Sequence, residues 1–244
     1  MKMCNTTLSF ICATNDTKTL NEMLVASLKK QINQNFELVV VDAKEHGLKS
    51  ASETLNYGAS IANGKYLCFV HQDIEFLNDD AIDKIIDYFD SNDFGIAGVA
   101  GETGKTRKDY TVYSSVVMNE DRKHAGLFLD KQKEAYSVDE CVMFVKKEQF
   151  KKFDDFGNTW HFYGVEYSLR CIKNNEKVLL FPINVYHKSS GVLNNSYWDT
   201  LKLVCKKYKD VKVIKTCCGN FNNNCLTSLY CFAHKVKNKL RGRK

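Results

Sequence analysis

Three short apolar runs, each halted by polar residues, constrain this chain more than any other feature. They are residues 7–13 (TLSFICA) before Thr14-Asn15-Asp16, 36–41 (FELVVV) before Asp42, and 66–70 (YLCFV) before His71-Gln72-Asp73. Aromatic and β-branched members predict strands, and near-continuous apolarity predicts strands covered on both faces, as in parallel sheets. Between them lie two stretches of helical spacing. Residues 18–31 put Leu20, Met23, Leu24 and Leu28 on one side, and residues 50–62 are closed by Asn63-Gly64. This βαβαβ order predicts an open α/β sheet whose ligands bind at the carboxyl ends of the strands. A carboxylate there, flanked by an imidazole and an amide, suits a divalent metal and the phosphates it neutralises. A strand end that simply meets solvent is the plainer reading of the same residues.

Further along, residues 79–89 place Ile82, Ile85, Ile86 and Phe89 at core-facing helical spacing, and 95–100 (GIAGVA) read as a strand small enough to be packed closely. The following GETGKT resembles a phosphate-binding loop but has two residues between its glycines where the pattern needs four. It is expected to be a surface loop, with Lys105 or Arg107 near substrate as a lesser alternative. Residues 111–118 read as a strand and 119–136 as a polar excursion. Residues 137–146 (SVDECVMFVK) read as a strand opening on Asp139 and Glu140, acids that are costly to bury unless paired or functional.

Residues 156–170 set Trp160, His161, Phe162 and Tyr163 before a helix striped by Val165, Leu169 and Ile172, with Glu166 near its start. Rings beside an acid suit a sugar, since rings stack on a pyranose face while carboxylates take its hydroxyls; a structural aromatic cluster is the alternative. Residues 177–181 are expected to be the last strand, ended by the only proline, Pro182. His187 taken alone reads more readily as structural than as a ligand. Tyr197, Leu201, Val204 and Tyr208 recur at helical spacing, and a tail helix from about Cys225 carries Leu226, Leu229, Ala233, Val236 and Leu240 on one face.

At 244 residues, 44% of them hydrophobic, one α/β domain over residues 1–215 and a basic amphipathic tail over 216–244 are expected. No apolar run approaches the roughly 20 residues that span a bilayer, and the first residues lack a secretory h-region and cleavage site. The ten cysteines include no CxxC pair, and several sit inside apolar runs, so a reduced, cytoplasmic protein is expected. The net charge of +6 resides in Lys235, Lys237, Lys239, Arg241, Arg243 and Lys244, leaving a neutral body without a nucleic-acid-binding face. Such a tail fits the inner face of an anionic membrane, or equally a solvated helix end or a contact in a homodimer.

The order of LSFICATND, FELVVVDAKE, LNYGASIANGKYLCFVHQDIEF, SVDECVMFVKK, WHFYGVEYSLRC and VYHKSSG, over about residues 8–191, resembles family 2 glycosyltransferases of GT-A fold. More narrowly, it resembles a bacterial glycosyltransferase-like branch with HQD in place of DxD. The resemblance implies a GT-A, Rossmann-like, mainly parallel sheet flanked by helices. It implies nucleotide-sugar contacts at Thr14, Asn15, Asp42, Asn56, Gly58, His71 and Asp73, and Mn²⁺ or Mg²⁺ bound by Asp73 and His187. It also implies a general base at Glu166, with Asp139 and Glu140 in reserve, and sugar or acceptor contacts at Asp139, Glu140, Trp160, His161 and Tyr163. The family's ED pair reads Val165-Glu166 here, and an acid of its metal motif is replaced by His71, with Glu75 pointing away. The implied activity is inverting transfer from a UDP- or GDP-sugar to a glycan or lipid-linked acceptor, in polysaccharide biosynthesis. The rival readings are a degenerate nucleotide- or glycan-binding module and a sugar nucleotidyltransferase.

Overall fold

The computed structural model describes residues 7–104, 106, 108–118, 123–189 and 193–240. Lys105, Arg107 and the last three cations, Arg241, Arg243 and Lys244, lie outside them. The three apolar runs form parallel strands, β1 (Leu8–Thr14), β2 (Phe36–Asp42) and β3 (Tyr66–Val70), with β1 between the other two. They sit at one side of a seven-stranded mixed sheet. Beyond β3 come Val142–Lys146, antiparallel to β3, then Ile96–Gly98, Val178–Leu180 and Lys133–Glu134.

Alternate residues of β1 supply two separate cores. Leu8, Phe10 and Cys12 face the first helical segment through Leu20, Leu24 and Leu28, whereas Ile11 faces the second through Leu55 and Ala59. The first segment runs from Thr17 to Lys29 and passes through a π turn at Asn21–Val25; Asp16 caps it by accepting from the Lys18 and Thr19 amides. The second, Ala51–Ile61, is capped by Ser50. Because β1 connects to neighbours on both sides and its helices cover opposite faces, the crevice beyond the ends of β1 and β3 is the switch point where such sheets bind ligands.

Three expected strands prove to be broken. Residues 95–100 divide into Ile96–Gly98 in the large sheet and Ala100–Glu102 in a four-stranded one. Residues 111–118 divide into Val112–Ser114 and Val116–Met118, which join different four-stranded sheets, and 137–146 into Ser137–Val138 and Val142–Lys146. In each run the chain changes sheet, and because apolar residues stand on both sides of the break the pattern gives no sign of the corner. The strand at Val178–Leu180 is not the last: Val185–His187, Val213–Thr216 and Gly219–Asn222 follow it.

The C-terminal residues make a third core. Val165 and Leu169 of the helix Tyr163–Lys173 pack against Tyr197, Leu201 and Val204 of the helix Asn195–Lys207, with Ile214 and Phe221 of the last hairpin. The helix Thr227–Leu240 lies on this layer through Thr227, Cys231 and Asn238, while His234 stacks on Trp198 at 4.1 Å. No described helix is long and apolar enough to cross a membrane, and every described cysteine is a free thiol.

Candidate active site

The ends of β1 and β3 are joined by one side chain. Gln72 Oε1 accepts from Thr14 Oγ1 (2.7 Å), the Asn15 amide (3.0 Å) and the Asp16 amide (3.1 Å), and Gln72 Nε2 donates to Asn15 Oδ1 at 2.7 Å. Both turns are thereby held as one wall of a cleft of about 820 Å³, which Asp42 at the end of β2 also lines. Asp42 Oδ1 accepts from the Lys44 and Glu45 amides, bending the chain so that Lys44 reaches the same cleft.

Behind this wall, His71, Asp73 and His187 bring ligand atoms within 4.8 Å of one another. Strand register explains the arrival of His187 from more than a hundred residues away. Val185–His187 pairs antiparallel with Ile74–Phe76, setting His187 opposite Ile74, next to Asp73. His187 Nε2 lies 3.3 Å from Asp73 Oδ1 and 3.4 Å from His71 Nδ1. The other His71 nitrogen meets the Tyr163 hydroxyl at 3.1 Å, an outer contact of the kind that fixes the tautomer of a metal-binding imidazole. Ser189 donates its amide to Asp73 Oδ2 at 3.1 Å, and its hydroxyl lies 3.3 Å from His187 Nε2.

Burial alone would raise the Asp73 carboxyl; hydrogen bonds from His187 and Ser189 and the attraction of both imidazoles outweigh it and hold Asp73 well below the usual carboxylate range. Burial, with the His187 imidazole, depresses His71 and keeps it neutral, as a ligand must be. Two imidazole nitrogens and an ionised carboxylate fit a first-row divalent cation. Glu75 stands outside the cluster, since Ile74 and Phe76 on either side of it face the core.

The opposite wall comes from the broken strand. Because Val142–Lys146 runs antiparallel to β3, its amino end meets the carboxyl end of β3, and the His71 amide donates to Cys141 O at 3.0 Å. Glu140 thus enters the cleft beside Trp160 and Tyr163. Its Oε1 accepts the Gly164 amide at 3.0 Å, in the first turn of the helix Tyr163–Lys173. Asp139 is turned to its own corner, where Oδ1 accepts the Cys141 amide at 3.0 Å.

Several expected site residues are not brought to the cleft. The Asn56 side chain exchanges two hydrogen bonds with the backbone of Phe153, tying a helix to a loop. Gly58 is a packing position, where a Cβ would stand 2.6 Å from Ile11 Cγ2. His161 meets Asn194 at 3.1 Å and the edge of Tyr197. Glu166, the expected base, is fully buried, bonded to Lys207 at 2.5 Å and the Tyr208 hydroxyl at 2.6 Å, and 3.2 Å from Arg170. It lies one helical turn past the amino end of its helix and faces the C-terminal layer instead of the cleft. Sequence reasoning, for its part, left Gln72, Ser189 and Lys44 without roles. The one signal for Ser189 was its place in the polar KSSG turn directly after His187.

Residues 9–214 match a family described as "Glycosyltransferase like family". No curated protein sequence matches the chain. Among solved structures that match is Staphylococcus aureus TarS, residues 1–349 in complex with UDP-GlcNAc. It is 14% identical, with a TM-score of 0.52 over 82% of this chain and 66% of that one. The likeness is one of fold, and it bears out the expected mixed α/β architecture of GT-A type. The chain spans just under two thirds of that structure.

Proposed function

This chain belongs to the glycosyltransferase-like family, and from that premise we propose that it transfers a sugar from a UDP- or GDP-sugar to a hydroxyl of a glycan or lipid-linked acceptor, with inversion. One observation carries the reading: the His71–Asp73–His187 cluster adjoins a cleft that Thr14, Asn15 and Asp42 also line. In this reading Asp42 accepts hydrogen bonds from the nucleotide base, and the Gln72 clamp presents Thr14 and Asn15 to the nucleoside. Lys44, on the same wall, offers a positive charge to the diphosphate. A divalent cation held by His71, Asp73 and His187 would neutralise charge on the leaving diphosphate as a Lewis acid. Two imidazoles in the donor set favour Mn²⁺ over Mg²⁺, which prefers oxygen ligands. Trp160, on the facing wall, helps to exclude water, whose attack would hydrolyse the donor.

The reading also includes attachment to the inner face of a membrane, where lipid-linked acceptors reside. Leu229, Phe232 and Leu240 are 61–84% exposed on the side of the last helix turned away from the protein, Leu226 is 61% exposed in the turn before it, and Lys237 and Lys239 stand beside them.

The decisive experiment is calorimetry of UDP and GDP with and without Mn²⁺, followed by nucleoside diphosphate release from a panel of UDP- and GDP-sugars. Metal-dependent binding and release are expected, and Asp73→Ala should weaken binding at least tenfold and abolish release. Binding without release by the wild-type chain would point instead to a binding module, and release of pyrophosphate to a nucleotidyltransferase.

A further inference from the structure

With Glu166 committed to Lys207, Arg170 and Tyr208, the reaction needs another group to take the acceptor's proton. We propose that Glu140 is that group, and that Gly164 is the residue that makes room for it. The inference rests on the transferase reading above and assigns its missing base.

Three independent observations converge on Glu140. It lines the cleft, as neither Asp139 nor Glu166 does. Its carboxylate lies against the first turn of an eleven-residue helix, with Gly164 N–H donating to Oε1 at 3.0 Å, so the helix amino end fixes the carboxylate's direction and favours its charge. A side chain at position 164 would occupy the same space, because a Cβ there would stand 3.0 Å from Glu140 Cγ and 2.8 Å from Met143 Sδ. The residue preceding that helix, Phe162, is held at φ 70°, in the left-handed region that non-glycine residues rarely adopt. That backbone turn delivers the helix amino end to Glu140. A link to the metal cluster completes the arrangement: the Tyr163 hydroxyl lies 3.1 Å from His71 Nε2 and 3.5 Å from Glu140 O.

The step balances. The acceptor hydroxyl gives its proton to the Glu140 carboxylate as its oxygen bonds to the anomeric carbon. The bond from that carbon to the diphosphate breaks on the opposite face, and its electron pair leaves with the nucleoside diphosphate. The groups facing the carboxylate are Asp139 on its own turn, Tyr163, Tyr197 and Cys218. Burial raises Glu140, bonds from the Gly164 amide oppose the rise and Asp139 adds to it, leaving the carboxyl at about 8, where proton transfer near neutral pH is efficient.

The test compares Glu140→Gln with the wild-type chain, using Mn²⁺, the donor that the panel selects and a hydroxyl acceptor that accelerates release. Glu140→Gln should keep Mn²⁺-dependent nucleotide binding within about twofold and lose on the order of a hundredfold in acceptor-stimulated release. The wild-type rate should climb with pH through an apparent pKa well above that of an ordinary carboxyl, and this limb should vanish in the variant. Gly164→Ala, which leaves every carboxylate in place, should slow release about tenfold by displacing Glu140. Release by Glu140→Gln within threefold of wild type, with the limb intact, overturns the assignment while the transferase reading stands. Absence of release from the wild-type chain with every donor overturns both. Should Glu140→Gln fail to fold, the Gly164→Ala rate decides: an unchanged rate refutes the proposal.

Discussion

Two glutamates stand at the two sides of the helix Tyr163–Lys173, and their surroundings assign them opposite work. Glu140 meets the helix at its amino end, within a cleft, bonded to the Gly164 amide and raised by burial to about 8. Glu166 projects from the helix into the C-terminal layer and is wholly buried among Lys207, Arg170 and Tyr208. Lys207 and Tyr208 hold its Oε1 and Arg170 lies beside its Oε2, all inside the C-terminal layer, so this carboxylate has no side open to a substrate. One held by backbone amides at a helix start, with an open side, can exchange a proton. The general point is that an acid's distance from solvent says little about its role until its partners are counted.

The largest effect that could break this contrast is on stability. Glu166→Ala leaves Lys207 and Arg170 facing a buried gap, and removing one member of such a group costs about 3 kcal/mol or more. In a chain of this size that lowers Tm by roughly 10 °C. Thermal denaturation should show this loss, whereas Glu140→Gln, compared at pH 5, should melt within a few degrees of wild type. A Glu166→Gln variant that folds normally yet loses acceptor-stimulated release while binding nucleotide would reverse the two roles.

The back of the molecule has a further distinction from the front, since its outermost helix keeps a wet apolar side. Cys231, Asn238 and the His234 ring are spent on docking, and Lys235 is bonded to Asp199 at 2.7 Å. Lys237 and Lys239 flank the exposed leucines, and no acid occurs in the chain after Asp210. Two copies meeting through this face would bring like charges together; an anionic bilayer would not. Replacing Lys237 and Lys239 by Gln should weaken binding to phosphatidylserine-containing vesicles by about 2 kcal/mol, roughly thirtyfold, and leave nucleotide binding unchanged. Sedimentation with vesicles measures it, and failure of the intact chain to sediment rules the membrane out.

The front was far more legible in the sequence than the back. An apolar run stopped by His71-Gln72-Asp73 announces a strand and a ligand edge together, because one residue pattern encodes both. The resemblance then supplied His187, whose place depends on the Val185–His187 register with Ile74–Phe76. What the sequence hid was direction. Glu166 stands where a base is expected along the chain, but the 100° step of a helix decides which side it faces, and Lys207 and Tyr208 were too distant in sequence to signal that they would claim it. Glu140 was legible only as one of a pair with Asp139 at a strand's opening; the break after Val138, which sets that opening as a corner and sends only Glu140 into the cleft, was not.

The smallest expected effect tests the same contrast through linkage between pH and folding. Glu140 has a folded-state pKa raised to about 8, above the ordinary glutamate value of 4.5, so between those values the folded chain binds more protons than the unfolded one. Its contribution to stability is therefore fully present below about pH 4.5 and is lost as pH rises through 8. Substituting Gln removes a group that must either stay protonated or charge at a cost. The difference in Tm between Glu140→Gln and wild type should accordingly move in favour of the variant as pH is raised from 5 to 9. A difference that stays flat across that range would mean that Glu140 titrates like an exposed acid, and the environmental contrast with Glu166 would lose its physical basis.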